Sequence, residues 1–332
     1  MNDFGRDTTT DQVLEGMDLT GRRVVITGAA SGLGRESVRA LATHGASVTV
    51  LARSEQRVAG VVAELEASVP GARFESGVVD LADLSSVRSF ASAFLDTHGA
   101  VDVLMNNAGV MACPFGRTVD GFEAQFGTNH LGHFLLTALL APALLQGIGP
   151  RVVTLSSAGH SRADVDLVDP NFETTEYSAW VAYGQSKSAN ALFARELARR
   201  GGSRGLLSFS VHPGGIVTDL GRHLDDELMN EMIAFAQARS EAAASGDVST
   251  PGGAPRRGIE LKSVEAGAAT QVWAATADGL EAHNGAYLAD CGVGVLGADP
   301  GANGFLPYLL DDDHGAALWD LSERLVGTRF TF

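Results

Sequence analysis

The chain has 332 residues and a formal net charge of −16, and 45% of its residues are hydrophobic. This length allows one large α/β domain or two ordinary ones with a sizeable core. The negative charge argues against a general role in binding nucleic acids, because their phosphates would be repelled. Two cysteines are too few for a disulfide framework, so we expect a reducing, cytoplasmic location. The polar, acidic N-terminus lacks a signal-peptide pattern, and no apolar run is long enough to predict a membrane span.

Strands and helices alternate after a polar N-terminal arm at 1–19, in which Thr8–Thr10 is suited to cap a short helix. Short apolar or β-branched runs predict strands at 23–26, 46–53, 74–81, 101–107, 151–156, 206–212 and 285–288. Periodic apolar residues predict helices at 35–42, 55–69, 84–97, 122–145, 183–200, 225–244, 264–275 and 316–326. This alternation predicts a doubly wound parallel sheet covered by helices on both faces, an α/β fold of three layers.

The first predicted strand runs into the glycine turn Thr27-Gly28-x3-Gly32-x-Gly34, which a helix follows. Glycines let the main chain approach a ligand closely, and the N-terminus of a helix favours an anion. The turn therefore predicts a phosphate-binding site. An ordinary tight turn between a strand and a helix is the alternative, because this spacing differs from the commonest dinucleotide fingerprint.

Tyr183 and Lys187 lie four residues apart in a predicted helix, so both side chains project from one face. A nearby ammonium group favours the phenolate and would lower the pKa of the tyrosine from about 10. The pair therefore predicts a general acid/base for a carbonyl and an alcohol. A surface tyrosine beside a solvated lysine is the alternative. Tyr177 lacks such a partner, because Val181 stands four residues after it.

Five motifs now stand in a characteristic order: the glycine turn, Asn106-Asn107-Ala108-Gly109, Ser157, Tyr183-x3-Lys187 and Pro213-Gly214. In this order the chain resembles the short-chain dehydrogenase/reductase family over roughly 19–220, with a continuation to about 288. The segments Asn129–Phe134 and Leu51–Arg53 look most like the retinol-dehydrogenase-like branch. The resemblance implies a Rossmann-like domain at 20–332, with a substrate lid or loop at 222–258 and a C-terminal extension at 290–332.

The resemblance also implies a catalytic set. Tyr183 would be the general acid/base, and Lys187 would hold the nicotinamide ribose. Ser157 would orient the substrate oxygen, with Ser156 as the alternative. Asn129 would position a water beside the lysine. His130 and His133 are expected to be packing or surface residues, and no metal is expected, because no cysteine or acidic ligand cluster accompanies them.

Arg53 ends the second predicted strand, where NAD-preferring enzymes place an acid for the ribose hydroxyls. A guanidinium suits a 2′-phosphate, so we expect NADP(H) to be preferred, with NAD(H) as the alternative. The alternative is that Arg53 only faces solvent and has no role in binding. The resemblance implies further cofactor contacts with Tyr183, Lys187 and a wider set: Gly28, Ser31, Gly32, Leu33, Gly34, Asp80, Leu81, Asn107, Ala108, Gly109, Pro213, Gly214, Ile216 and Thr218.

The expected activity is the NADP(H)-dependent interconversion of a carbonyl and an alcohol on a hydrophobic, bulky small-molecule substrate. A stripe of apolar residues supports this expectation and could instead be the buried face of an amphipathic helix: Leu224, Leu228, Met229, Met232, Ile233 and Phe235. The rival activities are an NAD-dependent secondary-alcohol dehydrogenase and a carbon–carbon double-bond reductase. A non-catalytic NADP(H)-binding sensor or scaffold is a rival of another class. Monomer, dimer and tetramer all remain open.

Overall fold

The computed structural model describes residues 4–244 and 261–332, and its centre is a twisted sheet. Within these residues eight strands pair in the order β3-β2-β1-β4-β5-β6-β7-β8, all parallel except β8. A parallel pair, β9 and β10, lies outside this sheet. The strands are β1 Arg23–Thr27, β2 Ser47–Ala52, β3 Arg73–Val78, β4 Val103–Asn106, β5 Arg151–Leu155, β6 Leu207–His212, β7 Tyr287–Ala289, β8 Gly292–Val293, β9 Val295–Leu296 and β10 Gly304–Phe305.

Helices connect the strands and cover both faces of the sheet. A single π-helical turn, Gly127–Leu131, joins α5 to α6. The helices are α1 Thr10–Leu14, α2 Gly32–Thr43, α3 Glu55–Ser68, α4 Leu84–Thr97, α5 Ala124–Phe126, α6 Gly132–Leu144, α7 Ala179–Gly201, α8 Asp226–Ala244, α9 Val264–Thr276 and α10 Asp312–Val326.

Side chains of alternate strand residues enter two separate cores, as the pleat of a strand requires. In β1, Val25 joins the core under α4, α6, α7 and α10. Its neighbours Val24 and Ile26 join the core under α1, α2, α3 and α9. A sheet buried on both faces explains the near-continuous apolar strands, and it confirms the predicted three-layer α/β fold.

Most predicted elements lie within a few residues of the observed ones. The N-terminal arm packs against α2 and α9: Thr9 caps α1 with a capping box, and Val13 and Leu14 are buried in the core. Helix α7 begins earlier than predicted, at Ala179, where the Ser178 side chain caps it. The predicted loop at 245–258 lies outside the described residues. No described helix has the length and apolar character needed to cross a membrane.

Candidate active site

The predicted site residues gather at the carboxyl edge of the sheet, where open parallel sheets bind ligands. Gly28 follows β1, Asn107 follows β4, Ser157 lies just beyond β5, and Pro213 follows β6. The topology therefore brings together four motifs that are far apart in the sequence.

The glycine turn has no room for side chains. Gly28 has a φ of +64°, and a Cβ there would lie 2.7 Å from Cα of Ala108. A Cβ at Gly34 would meet the carbonyl oxygen of Gly28. Gly32 has a φ of +53° and faces Thr218. The Ser31 side chain does not cap α2, so backbone N–H groups at the start of this helix are available to a ligand. This bare backbone fits a dinucleotide pyrophosphate.

Thr27 ties the end of β1 to the end of β4, a role that the sequence motif did not reveal. Its Oγ1 accepts hydrogen bonds from the backbone N–H groups of Asn107 (2.9 Å) and Ala108 (3.0 Å). The Asn107 side chain returns a bond of 2.8 Å to the Thr27 carbonyl. The segment Asn107–Gly109 is therefore held beside the glycine turn.

Tyr183 and Lys187 are both 3% exposed on α7. Nζ of Lys187 lies 5.7 Å from the centroid of the Tyr183 ring and donates to the Leu155 carbonyl at 3.1 Å. Burial raises the pKa of Tyr183 to about 12, although a hydrogen bond with Ser157 acts in the opposite direction. The prediction that Lys187 lowers the pKa of Tyr183 was therefore wrong, because the effect of burial is larger. Burial also lowers the pKa of Lys187 to about 8.

Ser157 and Ser156 have different environments. The Ser157 hydroxyl accepts from the Gly159 N–H at 3.0 Å, whereas Ser156 donates to the Lys187 carbonyl at 2.8 Å and is buried behind the site. A Cβ at Gly159 would lie 2.6 Å from Cε1 of Tyr183, so this glycine lets the ring approach the serine. The contact was not predicted, because no local pattern marks Gly159.

Asn129 lies in the π-helical turn and is fully buried. Its Oδ1 accepts from the Val110 N–H at 2.8 Å, and its Nδ2 donates to the Val110 carbonyl and to Ser186 at 2.9 Å each. Oδ1 of Asn129 and Nζ of Lys187 both border Gly109. The amide is thus fixed next to the lysine.

Arg53 directly follows β2 and is exposed. Within residues 4–244 and 261–332 its guanidinium has no hydrogen bond or ion pair, so it is available to an anion. Asp80 is half-buried and accepts from the Ala82 N–H at 2.9 Å, and Leu81 is buried beside it.

The segment after β6 rests on Lys262, which was not predicted. Gly214 has a φ of +96°, and a Cβ there would lie 2.7 Å from Cε of Lys262. Lys262 also donates its backbone N–H to Gly215 at 2.8 Å and forms an ion pair of 2.6 Å with Asp290. Ile216 packs against Gly267 of α9.

An apolar cluster surrounds the ring of Tyr183. Ala112, Trp180 and the tyrosine form its buried part, and Met111, Leu224, Leu228 and Met232 pack against them. Trp180 Nε1 donates to the Leu228 carbonyl at 3.2 Å. Met229 and Ile233 are exposed and do not belong to this cluster, so only part of the predicted apolar stripe packs beside Tyr183.

His130 and Tyr177 bond to groups outside this site, whereas the His133 ring lies between Thr27 and Asn129. Both histidines are buried, and burial lowers their pKa values to about 3 and about 4. Tyr177 donates to the Cys113 carbonyl at 2.8 Å. The described part of the chain contains no cluster of metal-ligating side chains.

A family model described as short chain dehydrogenase matches residues 22–228. The chain belongs to the short-chain dehydrogenase family. It is also 34% identical to human retinol dehydrogenase 12 over 95% of this chain and 89% of that protein. The predicted resemblance to the retinol-dehydrogenase-like branch is thereby confirmed.

Two solved structures support this assignment. The crystal structure of an uncharacterized protein from Mycobacterium paratuberculosis covers 98% of this chain and 100% of its own, with a TM-score of 0.71 and 33% identity. A short-chain dehydrogenase from Burkholderia cenocepacia, in complex with NADP, covers 82% of this chain and 96% of its own, with a TM-score of 0.60 and 25% identity. This short-chain dehydrogenase is therefore an NAD(P)-binding oxidoreductase that acts on CH–OH or C=O groups.

Proposed function

We propose that the protein reduces apolar aldehydes or ketones with NADPH, with Tyr183 as the proton donor, and catalyses the reverse oxidation. The observation that carries this proposal is the position of the tyrosine. Its ring is buried between Ser157 and Lys187 and belongs to the apolar cluster that includes Trp180.

The raised pKa of Tyr183 suits a proton donor, because the phenol stays protonated at neutral pH. The adjacent Lys187 ammonium stabilises the phenolate that remains after the proton leaves. Ser157 orients the substrate oxygen towards the phenol, and Asn129 supports the return of a proton from solvent. A bound nicotinamide would supply the hydride in reduction and accept it in oxidation.

The glycine turn and the segments 107–109 and 213–218 are the groups that would hold the cofactor, together with Asp80 and Leu81. The preference for NADP(H) rests on the unpaired charge of Arg53 at the end of β2, where a 2′-phosphate would find charge-assisted hydrogen bonds. The NADP complex of the Burkholderia relative supports this choice. NAD(H) is the alternative.

We further propose that residues 20–332 form the catalytic domain, with 222–258 as the substrate lid and 290–332 as an extension. A cytoplasmic location is proposed on the two cysteines, Cys113 and Cys291, which are free and buried. The proposed substrates are small molecules.

The test is a turnover assay with NADPH and matched pairs of aldehydes and ketones, one apolar and bulky, the other small and polar. We expect faster oxidation of NADPH with the apolar member and an alcohol as the product. An enone substrate separates the alternatives, because a double-bond reductase would leave its carbonyl intact. NADPH binding without turnover on the whole panel would contradict the proposal and favour a sensor.

A further inference from the structure

A buried chain of hydrogen bonds connects the glycine turn to Asn129 through His133. Nε2 of His133 lies 2.8 Å from Oγ1 of Thr27, and its Nδ1 lies 2.8 Å from the Asn129 carbonyl oxygen. All three residues are 0% exposed. One imidazole ring therefore spans the distance from β1, under the proposed cofactor site, to the π-helical turn that carries Asn129.

The partners determine the direction of every bond in this chain. The Asn129 carbonyl only accepts, so the proton of His133 is on Nδ1 and Nε2 is an acceptor. The Thr27 hydroxyl then donates to Nε2 at 2.8 Å, a shorter distance than the 3.3 Å to its other acceptor, the Met105 carbonyl, while its oxygen accepts from the N–H groups of Asn107 and Ala108. The ring is neutral, because burial and the charge of Lys187 lower its pKa to about 4.

The π-helical turn explains why Asn129 needs such support. π-Helical turns are rare, and here Gly132 donates its N–H to the carbonyl of Gly127, five residues back. The Asn129 side chain is already occupied by Val110 and Ser186. The His133 side chain adds a hydrogen bond to the Asn129 backbone carbonyl, so side-chain and backbone groups of Asn129 are both held.

We propose that His133 is a positioning residue that aligns Asn129, and through it Val110 and Gly109, with the Thr27 end of the cofactor site. This inference rests on the proposed function, because it assigns the alignment to the proton relay beside Lys187. His133 itself transfers no proton, because its ring remains in one neutral tautomer.

Three variants test the inference, and His130 supplies the control. In His133→Leu both hydrogen bonds are lost, whereas in His133→Asn the amide nitrogen replaces Nδ1 and keeps the bond to Asn129. His130→Leu removes an equally buried imidazole that contacts Ser322 instead, at 2.8 Å. Measurements are kcat for an apolar aldehyde, its pH profile, the Kd of NADP+ and the Tm of each variant.

We expect His133→Leu to lower kcat by roughly 10- to 100-fold and to shift the pH profile. A displacement of about 1 Å in a group that positions the reaction can reduce the rate by up to about 100-fold. The Kd of NADP+ should change less than about threefold, and His133→Asn should recover most of kcat. His130→Leu should lower Tm without changing the pH profile. An unchanged kcat in His133→Leu, or equal losses in His133→Leu and His133→Asn, would overturn the inference.

A spectroscopic measurement tests the same inference without turnover. In protein labelled with nitrogen-15 histidine, we expect His133 to be the neutral Nδ1–H tautomer at neutral pH, and the Nε2–H tautomer or an imidazolium would overturn it. The variant Tyr183→Phe, measured in the turnover assay, separates the two proposals. Loss of activity in this variant supports the proposed function, and the His133 variants then test this inference alone.

Discussion

Helices α7 and α8 contribute side chains to the same apolar cluster and differ in how firmly they are held. Most residues of α7 are buried between the sheet, the turn at 158–162 and α10, including Tyr183 and Lys187. Up to residue 239 of α8, only Ala236 is buried. The difference teaches that the proposed proton-transfer groups lie on a firmly packed element, while the apolar side chains proposed to meet the substrate lie on an element with few buried contacts, which costs less to move.

A few specific contacts hold α8 in place. The Arg162 guanidinium lies between the Trp180 ring (4.7 Å) and the Phe235 ring (4.0 Å). Arg239 forms an ion pair of 2.6 Å with Asp299 of the C-terminal extension. These contacts can be removed one at a time while Tyr183 and Lys187 keep their own contacts, so the comparison is open to experiment.

The largest expected effect comes from α7. Lys187→Met should lower kcat for carbonyl reduction about 1000-fold, because the phenolate of Tyr183 loses its neighbouring charge. Steady-state kinetics check this, with Arg195→Met as the control on the same helix, since Arg195 pairs with Asp312 near the surface. A loss below about tenfold would contradict the role of Lys187.

The pH dependence of carbonyl reduction should report the ionisation of Lys187. With a pKa of about 8, Lys187 is charged below that pH and becomes neutral above it, while Tyr183 stays protonated until about 12. Reduction should therefore be constant below pH 8 and fall about tenfold per unit above it. In Lys187→Arg, this fall should move to higher pH, because the guanidinium remains charged. A reduction rate that rises above pH 8 would contradict this assignment.

Arg53→Gln tests the cofactor edge, outside both helices. The Kd of NADP+ should rise about tenfold, because a charge-assisted hydrogen bond to phosphate is lost, and the Kd of NAD+ should not change. Titration calorimetry measures both values. Arg73→Gln removes the same charge at the opposite end of the neighbouring strand β3 and should affect neither. If Arg53→Gln raised the Kd values of NADP+ and NAD+ equally, this would contradict the proposal that Arg53 binds the 2′-phosphate.

The smallest effect is expected on α8. Arg162→Met removes the cation between two rings, which is worth about 1 kcal/mol, and should raise KM for a bulky apolar aldehyde about fivefold. The KM of a small aldehyde should change little, because a small aldehyde would contact fewer side chains of α8. Arg117→Met is the control, since Arg117 stacks on Phe115 away from α8. Equal changes for both substrates would show that α8 does not select substrate.

The sequence predicts the regular part of the molecule well, because strand, turn and capping signals are local. Helix α4 was predicted with its observed bounds, and the glycine turn was recognised from spacing alone. Contacts between distant segments were not predictable. Lys262 reaches Gly214 only through the fold, and the pKa of Tyr183 depends on burial that no spacing reveals. The side of α8 that faces Trp180 was likewise ambiguous.

The central claim is that Tyr183 donates the proton. Single-turnover reduction of an apolar aldehyde by Tyr183→Phe, saturated with NADPH, tests it most directly, because product release cannot mask the chemical step. We predict a rate about 1000-fold below that of the unaltered protein, with unchanged binding of NADP+. A rate within a fewfold of the unaltered protein would contradict the account.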